Sequence, residues 1–474
     1  MRDGFGYRDA TWGPRKQDPA SNARIVGIAT RTEPETVKPL GQVDRGRHRS
    51  RYAIGLALIV PAGLGIRVGY VLAGGAQDTS SDGLYYHLAG NAIAEGRGYV
   101  NPWTGAPTAL HPPAWSTLLA LPSVVGLDTL LAHQLFAVVV GATTIVLVGL
   151  AGRAIAGPRA GLVAAAIAAT YPIMWVRERE LAAETLVLPL VAIALLLAYR
   201  YWTEPRTVTL AAIGAVCGLV ALVRAEQALL LGLLLSWLAL RAGRESPLSS
   251  RVRRLLAGTA AAVVVVTPWI VHNTTRFERP VLLTTSLGLN LRVGNCPAAY
   301  YGERTGSFDP DIFRPPASVP PAGCVWDAES TDEAELDAEF RDKGLEYMRG
   351  HAERLPAVVA AREGRTWGVF RPFQQARFEQ QWGGGPIGVY QAGVAFSWAL
   401  VPFAVAGLLR LRASAVPLFP LISFLLVVAV AVAITHGMVR YRAPAEVSIV
   451  VLAAAGVDAL LDRLPFRALS ARGS

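Results

Sequence analysis

Unbroken apolar runs recur along most of the chain, near residues 53–73, 128–151, 159–176, 183–199, 208–223, 226–240, 255–271, 386–409, 414–435 and 443–461. A hydrocarbon core about 30 Å thick takes roughly 20 apolar residues of helix to cross. Lipid offers a backbone no hydrogen bonds, so only helices or closed barrels can span it. The runs are continuous rather than alternating, which reads as helix. The pattern predicts an all-α polytopic membrane protein of about ten transmembrane helices. The run from Pro113 to Gly126 is too short and proline-marked to span, and reads as a helix lying at the membrane surface.

The polar intervals divide the rest. Residues 1–52 lack apolar periodicity and read as a disordered cytoplasmic tail. Residues 53–271 form an N-terminal transmembrane module whose first outer loop is 74–127. Residues 272–385 form one large extracytoplasmic domain, residues 386–461 the C-terminal helices, and residues 462–474 a second tail. The first apolar run starts near residue 53, so no cleavable signal peptide is expected.

Composition agrees. Of 474 residues, 52% are hydrophobic and 17% charged, against roughly 25% charged in soluble domains. Short loops between alternate spans carry Arg153, Arg159, Arg200, Arg241, Arg253 and Arg410, among others, while the opposite loops hold few. That asymmetry puts both termini in the cytoplasm of a multi-pass inner (plasma) membrane protein. Arginine at the inner face accounts for much of the net charge of +10, so nucleic acid is not an expected partner. Of three cysteines, Cys217 lies in an apolar run and Cys296 and Cys324 in the large outer domain. In an oxidising compartment the latter two could form a disulfide worth roughly 3–4 kcal/mol; two unpaired thiols are the alternative.

Four polar clusters fall at helix ends on the predicted outer side. The first loop holds Asp82, Tyr85, Tyr86, Glu95 and His111. Asp82 reads either as a helix cap or as a general base at a cavity mouth. The second cluster runs Arg177-Glu178-Arg179-Glu180 to Glu184; Glu180 and Glu184 are four apart, the spacing of one helix face. Glu180 reads as well as an ion-pair partner of Arg177 or Arg179, whereas Glu184 leads into a long apolar run, where an acid is costly unless paired or wet. The third is Arg224-Ala-Glu226, an internal ion pair or an arginine aimed at phosphate. The fourth is His436-Gly-Met-Val-Arg440-Tyr441-Arg442, generic headgroup anchors or an anion site. No P-loop, dinucleotide fingerprint or HExxH competes, and the seven histidines are scattered, so no metal ligand set is assigned.

These clusters, in this order, resemble the GT-C glycosyltransferases, in particular the bacterial branch related to protein O-mannosyltransferases and lipid A aminoarabinose transferases. The resemblance rests on Asp82-x-x-Tyr85-Tyr86-x-x-Ala89, Glu95-Gly-x-Gly-Tyr99, His111-Pro-Pro, the Glu184-Thr-Leu helix start, Arg224-x-Glu226, Pro268-Trp269-Ile-Val-His272-Asn273, Gly288-x-Asn290-Leu and Arg440-Tyr441-Arg442-x-Pro444-x-Glu446, and spans residues 53 to 461. The chain departs from that pattern in two places. Gly83 follows Asp82 where relatives often have a second acid, leaving Asp78 as an outside candidate, and His272 stands where relatives commonly have arginine.

The resemblance implies transfer of a sugar from a polyprenyl-phosphate donor to a polysaccharide, lipid or protein acceptor outside the cytoplasm, as part of cell-envelope or cell-wall biogenesis. It implies Asp82 as inverting general base with Glu184 beside it, and Arg224, Arg440 and Arg442 on the donor phosphate. Tyr85, Tyr86, His111, Glu180, Glu226 and His272 become candidate substrate contacts. A divalent metal cofactor is open. A transporter or flippase of a lipid-linked glycan, or a non-catalytic scaffold of an envelope-assembly complex, is the alternative.

Overall fold

Pro172 decides how the third apolar run folds. A proline disfavours helical backbone in the residue before it and donates no hydrogen bond. Tyr171 accordingly takes an extended conformation, and the run splits into Pro158–Thr170 and Pro172–Arg179, bent by 78°. In the computed structural model, which describes residues 41–74, 81–313, 323–327 and 329–463, all ten predicted segments fall on helical stretches. The chain divides into units 1–46 and 47–474, and the helical packing described below belongs to the second.

Among the described residues six helices are long and apolar enough to cross a membrane, or seven if the bent pair counts as one span. In chain order the main helices are α1 (Gly41–Ala73), α2 (Ser81–Ala94), α3 (Ala114–Val124), α4 (Leu130–Ala156), α5 (Pro158–Thr170), α6 (Glu184–Thr203), α7 (Thr207–Ala221) and α8 (Leu248–Thr274). Then come α9 (Leu287–Gly294), α10 (Glu333–Gly350), α11 (Leu355–Thr366), α12 (Pro372–Gly383), α13 (Ile387–Ala413), α14 (Phe419–Ile434) and α15 (Ala443–Arg463). Among the described residues there is no strand beyond one isolated bridge between Val100 and Pro107. The expected disordered tail 1–52 falls outside the described residues up to residue 40, and from Gly41 it is already helical. The expected span 226–240 is not one α-helix: a 3₁₀ turn at Ala225–Ala228 leads into a π-helical turn at Leu231–Leu235, where Ser236 Oγ donates to the Leu231 carbonyl. Such turns loosen the regular ladder beside functional sites.

Small residues set the close helix contacts, because helices in lipid gain from backbone approach rather than from the hydrophobic effect. A Cβ on Gly214 of α7 would lie 1.9 Å from the Gly258 carbonyl oxygen of α8. A Cβ on Gly456 of α15 would lie 1.9 Å from the Phe403 carbonyl oxygen of α13. At the end of α15 away from Arg440, Asp458 takes an ion pair from Arg159 and another from Arg410 at 2.6 Å.

The segment 272–385 packs both within itself and against the rest of the chain. Cys296 and Cys324 are joined, within an apolar cluster that includes Tyr300, Ile312 and Val358. Buried arginines substitute for a sheet in satisfying carbonyls: Arg362 donates to those of Ala433 and Gly294, both at 2.7 Å. The acidic run 332–339 reads from the sequence as a solvated helix face; the structure corrects that for one stripe. Asp332 caps α10 by accepting from the Ala334 and Glu335 amides. Glu333 accepts from Thr108 Oγ1 (2.8 Å) and the Ala109 amide (2.7 Å), and Asp337, one turn on, accepts from the Gly288 amide (2.5 Å). The stripe therefore faces the first loop and α9, where donors replace water.

Two outcomes test this packing. Gly456→Val should lower the thermal transition of the full-length chain in detergent markedly, because the backbones cannot separate without losing the α13–α15 seam. Burial lifts the Asp337 carboxyl to about 6, against the pull of the Gly288 amide and Arg341. The folded state thus holds a proton there more tightly than the unfolded chain, whose aspartates titrate near 3.9. Stability from this group is full below that lower value and is lost as pH rises through about 6. Asp337→Asn should flatten the thermal-stability profile across that window; an unchanged slope would place the titration elsewhere.

Candidate functional site

Asp82 sits in the first turn of α2 and makes an ion pair with Arg440 at 2.7 Å. Its side chain is 18% exposed, against 10% for Arg440, so the pair lies at the edge of a cavity rather than in sealed core. Burial opposes ionisation of Asp82, but the Arg440 guanidinium, with Arg224 beyond it, outweighs burial and holds the carboxyl below its ordinary value. Asp82 is a carboxylate at neutral pH.

Arg440 reaches that position because its turn is anchored. Val439–Arg442 is a 3₁₀ turn whose first amide, Val439 N, donates to Glu379 Oε1 at 2.8 Å. Glu379 takes Arg177 at 2.6 Å, and Arg177 takes Glu180 at 2.6 Å. Tyr390 donates to Glu180 at 2.5 Å. In a 3₁₀ turn, residues two apart point to different sides. Arg442 therefore turns away, to Glu446 (2.5 Å), Tyr171 Oη (3.1 Å) and the Thr366 carbonyl (3.3 Å).

Arg224 follows α7 in extended backbone and pairs with Glu226 at 3.0 Å and Glu184 at 3.5 Å. Its guanidinium lies 5.0 Å from the ring centre of Tyr441, and that of Arg440 lies 5.5 Å from the same ring. Both fall within cation–π range, so one phenol gathers both cations. Tyr441 Oη shares a hydrogen bond with His436 Nε2 at 2.9 Å. His111 lies between Tyr85 and Tyr86, with ring centres 4.9 and 4.8 Å away. Burial, despite the pull of Asp82, depresses His111 to about 4, and burial with Arg440 and Arg362 depresses His436 to about 3. Both imidazoles are neutral hydrogen-bonding groups.

A cavity of about 510 Å³ is lined by Asp82, Tyr85, Tyr86, His111, Arg224, Glu226 and Arg440. Behind a wall it shares at Arg224, Glu226, Asn290 and Tyr441 lies a groove of about 1080 Å³. Leu229, Leu282, Leu287, Val428 and Ile434 make much of that groove apolar. Among the described residues no cluster of three or more His, Cys, Asp and Glu is placed to hold a metal ion.

Four expected site residues lie elsewhere. Glu180 is bound to Arg177 and Tyr390 and lines neither space; Leu181, with φ +50°, breaks the chain before α6, so Glu180 and Glu184 share no helix. Arg442 is held by Glu446, on the far side of its turn. His272 receives Arg276 at 2.7 Å and stacks on Trp269, away from both spaces. Glu184 stands behind Arg224 instead of in the cavity wall. Asp78 lies outside the described residues. Sequence reasoning missed Trp382 and Phe308 in the cavity wall; isolated aromatics in a polar segment give no periodic signal. Tyr441 and Asn290 stood inside the motifs of the resemblance without an assigned role.

Residues 110–272 match the family described as dolichyl-phosphate-mannose-protein mannosyltransferase, a stretch that includes His111, Glu184 and Arg224 but neither Asp82 nor Arg440. The structure is similar to the archaeal oligosaccharyltransferase AglB from Archaeoglobus fulgidus in complex with an inhibitory peptide and a dolichol-phosphate, at TM-score 0.52 and 16% identity, over 92% of this chain and 53% of that one. An apo oligosaccharyltransferase from the same organism gives 0.50 and 15%, over 88% and 52%. The chain thus spans about half the length of the enzyme it matches. ArnT from Cupriavidus metallidurans bound to undecaprenyl phosphate aligns at TM-score 0.39 and 14%, over 86% and 78%, too distant to add weight. No curated protein matches the chain. What is shared at these identities is the fold, that of the GT-C membrane glycosyltransferases.

The anchoring chain makes a sharp forecast. Removing one member of a buried, hydrogen-bonded ion pair leaves an uncompensated charge, at a cost of about 3–5 kcal/mol. Glu180→Ala should therefore lower the thermal transition strongly, whereas Asp82→Asn, at the cavity edge, should shift it little. Equal shifts would show that Asp82 is part of the structural network.

Proposed function

We propose that the chain is a glycosyltransferase that takes a sugar from a polyprenyl-phosphate donor and passes it to an acceptor hydroxyl outside the cytoplasm. The observation that carries this is the convergence of Asp82, Arg224 and Arg440, from three remote stretches, on a cavity that shares a wall with an apolar groove. A polar pocket joined to an apolar groove suits a molecule that is an anion at one end and hydrocarbon at the other. The phosphate would lie by Arg224 and Arg440, and the prenyl chain in the groove. The arginine asymmetry of the loops supports an outward-facing site in a multi-pass membrane protein.

Arg440 holds Asp82 in an ion pair. A donor phosphate competes for the same guanidinium, which suits the forked geometry of an anion contact. As the arginine turns to the phosphate, the carboxylate is released to the acceptor hydroxyl and becomes more basic. The hydroxyl proton passes to Asp82, the hydroxyl oxygen bonds to the anomeric carbon, and the bond from that carbon to the phosphate oxygen breaks. Its electron pair leaves with the phosphate, where the two guanidiniums stabilise the growing charge. A single displacement inverts the centre. Phosphate is already a good leaving group, so no second carboxylic acid is needed, unlike glycoside hydrolysis. Glu184 and Glu226 hold Arg224 in place, and neutral His111 offers a hydrogen bond to the sugar.

Proteoliposomes offered a panel of polyprenyl-phosphate sugars with an envelope acceptor extract test this reading. One donor should be consumed, with Asp82→Asn reducing turnover about 10²–10⁴-fold. Arg440→Ala should lose a similar amount through kcat. Because Asp82 sits below its ordinary value in the donor-free enzyme, kcat/KM should show no acid limb above about pH 4. Occupancy of Arg440 by phosphate should move the limb of kcat to higher pH than that of kcat/KM. Full activity in Asp82→Asn would overturn the base assignment, and movement of an intact lipid-linked glycan across the bilayer would establish transport instead.

A further inference from the structure

Beyond the charged end, the cavity has a wall of rings that the proposed chemistry does not use. Starting from Tyr441, which gathers the two arginines, His436 lies 5.2 Å away by ring centres, and Phe308 a further 5.5 Å on. Trp382 follows at 5.1 Å, Phe313 at 6.4 Å and Trp326 at 6.4 Å. These rings come from the stretch 436–441 before α15 and from the segment 272–385, where Trp382 belongs to α12. All but Trp326 line the smaller cavity, and none of Phe308, Trp382 and Phe313 lines the apolar groove. Phe313 is 52% exposed, although an apolar core would bury it. Trp382 Nε1 is shielded from solvent and has no hydrogen-bond partner among the described residues.

We propose that this ring track is the acceptor subsite and that its occupant is an extended glycan chain, stacked along it with its terminal hydroxyl at Asp82; the proposal rests on the transferase reading. Three features select a glycan. Sugar rings present an apolar face of C–H bonds on the scale of one aromatic ring, and the wall offers a succession of rings, tilted to one another, with centres 5.1–6.4 Å apart. A sugar hydroxyl also accepts a hydrogen bond, which answers the unpartnered indole N–H, a group that usually finds a partner when buried. An extended peptide would instead bring one donor and one acceptor per residue. Of the rings along this wall the phenylalanines offer neither, and His436 Nε2 is engaged by Tyr441. An acyl chain would leave the indole N–H unmet.

Intrinsic fluorescence titration of the full-length chain in nanodiscs provides the test, with mannose, glucose and arabinose oligomers of increasing length as probes and a Ser/Thr peptide as comparator. For one series Kd should fall with each added unit until the track is spanned. Phe313→Ala, remote from Asp82 and exposed, should weaken the long oligomers about tenfold, the scale of one aromatic contact, and leave the shortest unchanged. Trp382→Phe keeps the stack and removes the donor, and should weaken binding about three- to tenfold. Affinity independent of length, equal weakening at all lengths in Phe313→Ala, or a peptide binding as tightly as the long glycan would overturn the proposal. Donor consumption, measured separately in proteoliposomes, tells the two readings apart. Length-dependent binding without donor consumption would sink the transferase reading alone. Donor consumption without length dependence would sink the glycan track alone.

Discussion

The turn at Val439–Arg442 is held from behind by buried charge. Glu379 accepts the Val439 amide and Arg177, and Arg177 also takes Glu180. In a low-dielectric interior such a chain is stable only when every member is paired. It fixes where the last helix begins, and so where Arg440 meets Asp82 and where Tyr441 lies beneath Arg224. Loosen that chain and the site loses its register, though no site residue has changed.

The same economy recurs around the cavity. Arg224 is steadied by Glu184 and Glu226, and the first loop is tied down by Glu333 of α10. The carboxylates behind the site hold arginines and amides, while Asp82 holds Arg440 at the edge of the cavity. That difference in burial sets the carboxylates that brace the site apart from the one at its edge.

Division of labour between the two spaces follows from composition. The groove beside the broken helix 225–241 is lined by many aliphatic residues, with Arg279, Asp337 and Arg341 among them, and the cavity by charges at one end and aromatic rings along the other. Aliphatic walls accept flexible hydrocarbon without orientation. Rings and a lone indole N–H impose a face and a direction. The segment 272–385 supplies much of the second kind of wall, through Phe308, Phe313 and Trp382.

The helical membrane architecture was legible in the apolar runs, because lipid leaves a spanning backbone no other way to satisfy its hydrogen bonds. So was the set of polar residues to suspect, since Asp82, Arg224 and Arg440 stand where apolar runs stop. Pro172 was visible as well, though its 78° bend was not. Which of those polar residues face one another was settled only by the packed chain. Glu180 and Glu184 carry helical spacing, but the positive φ of Leu181 separates them, and backbone conformation at one residue leaves no periodic trace. Arg440 and Arg442 are equivalent in composition, and only the sense of a 3₁₀ turn sends one to Asp82 and the other to Glu446. The ring track was hidden for a like reason: its members lie far apart in sequence, and contact between distant segments is set by packing rather than by local pattern.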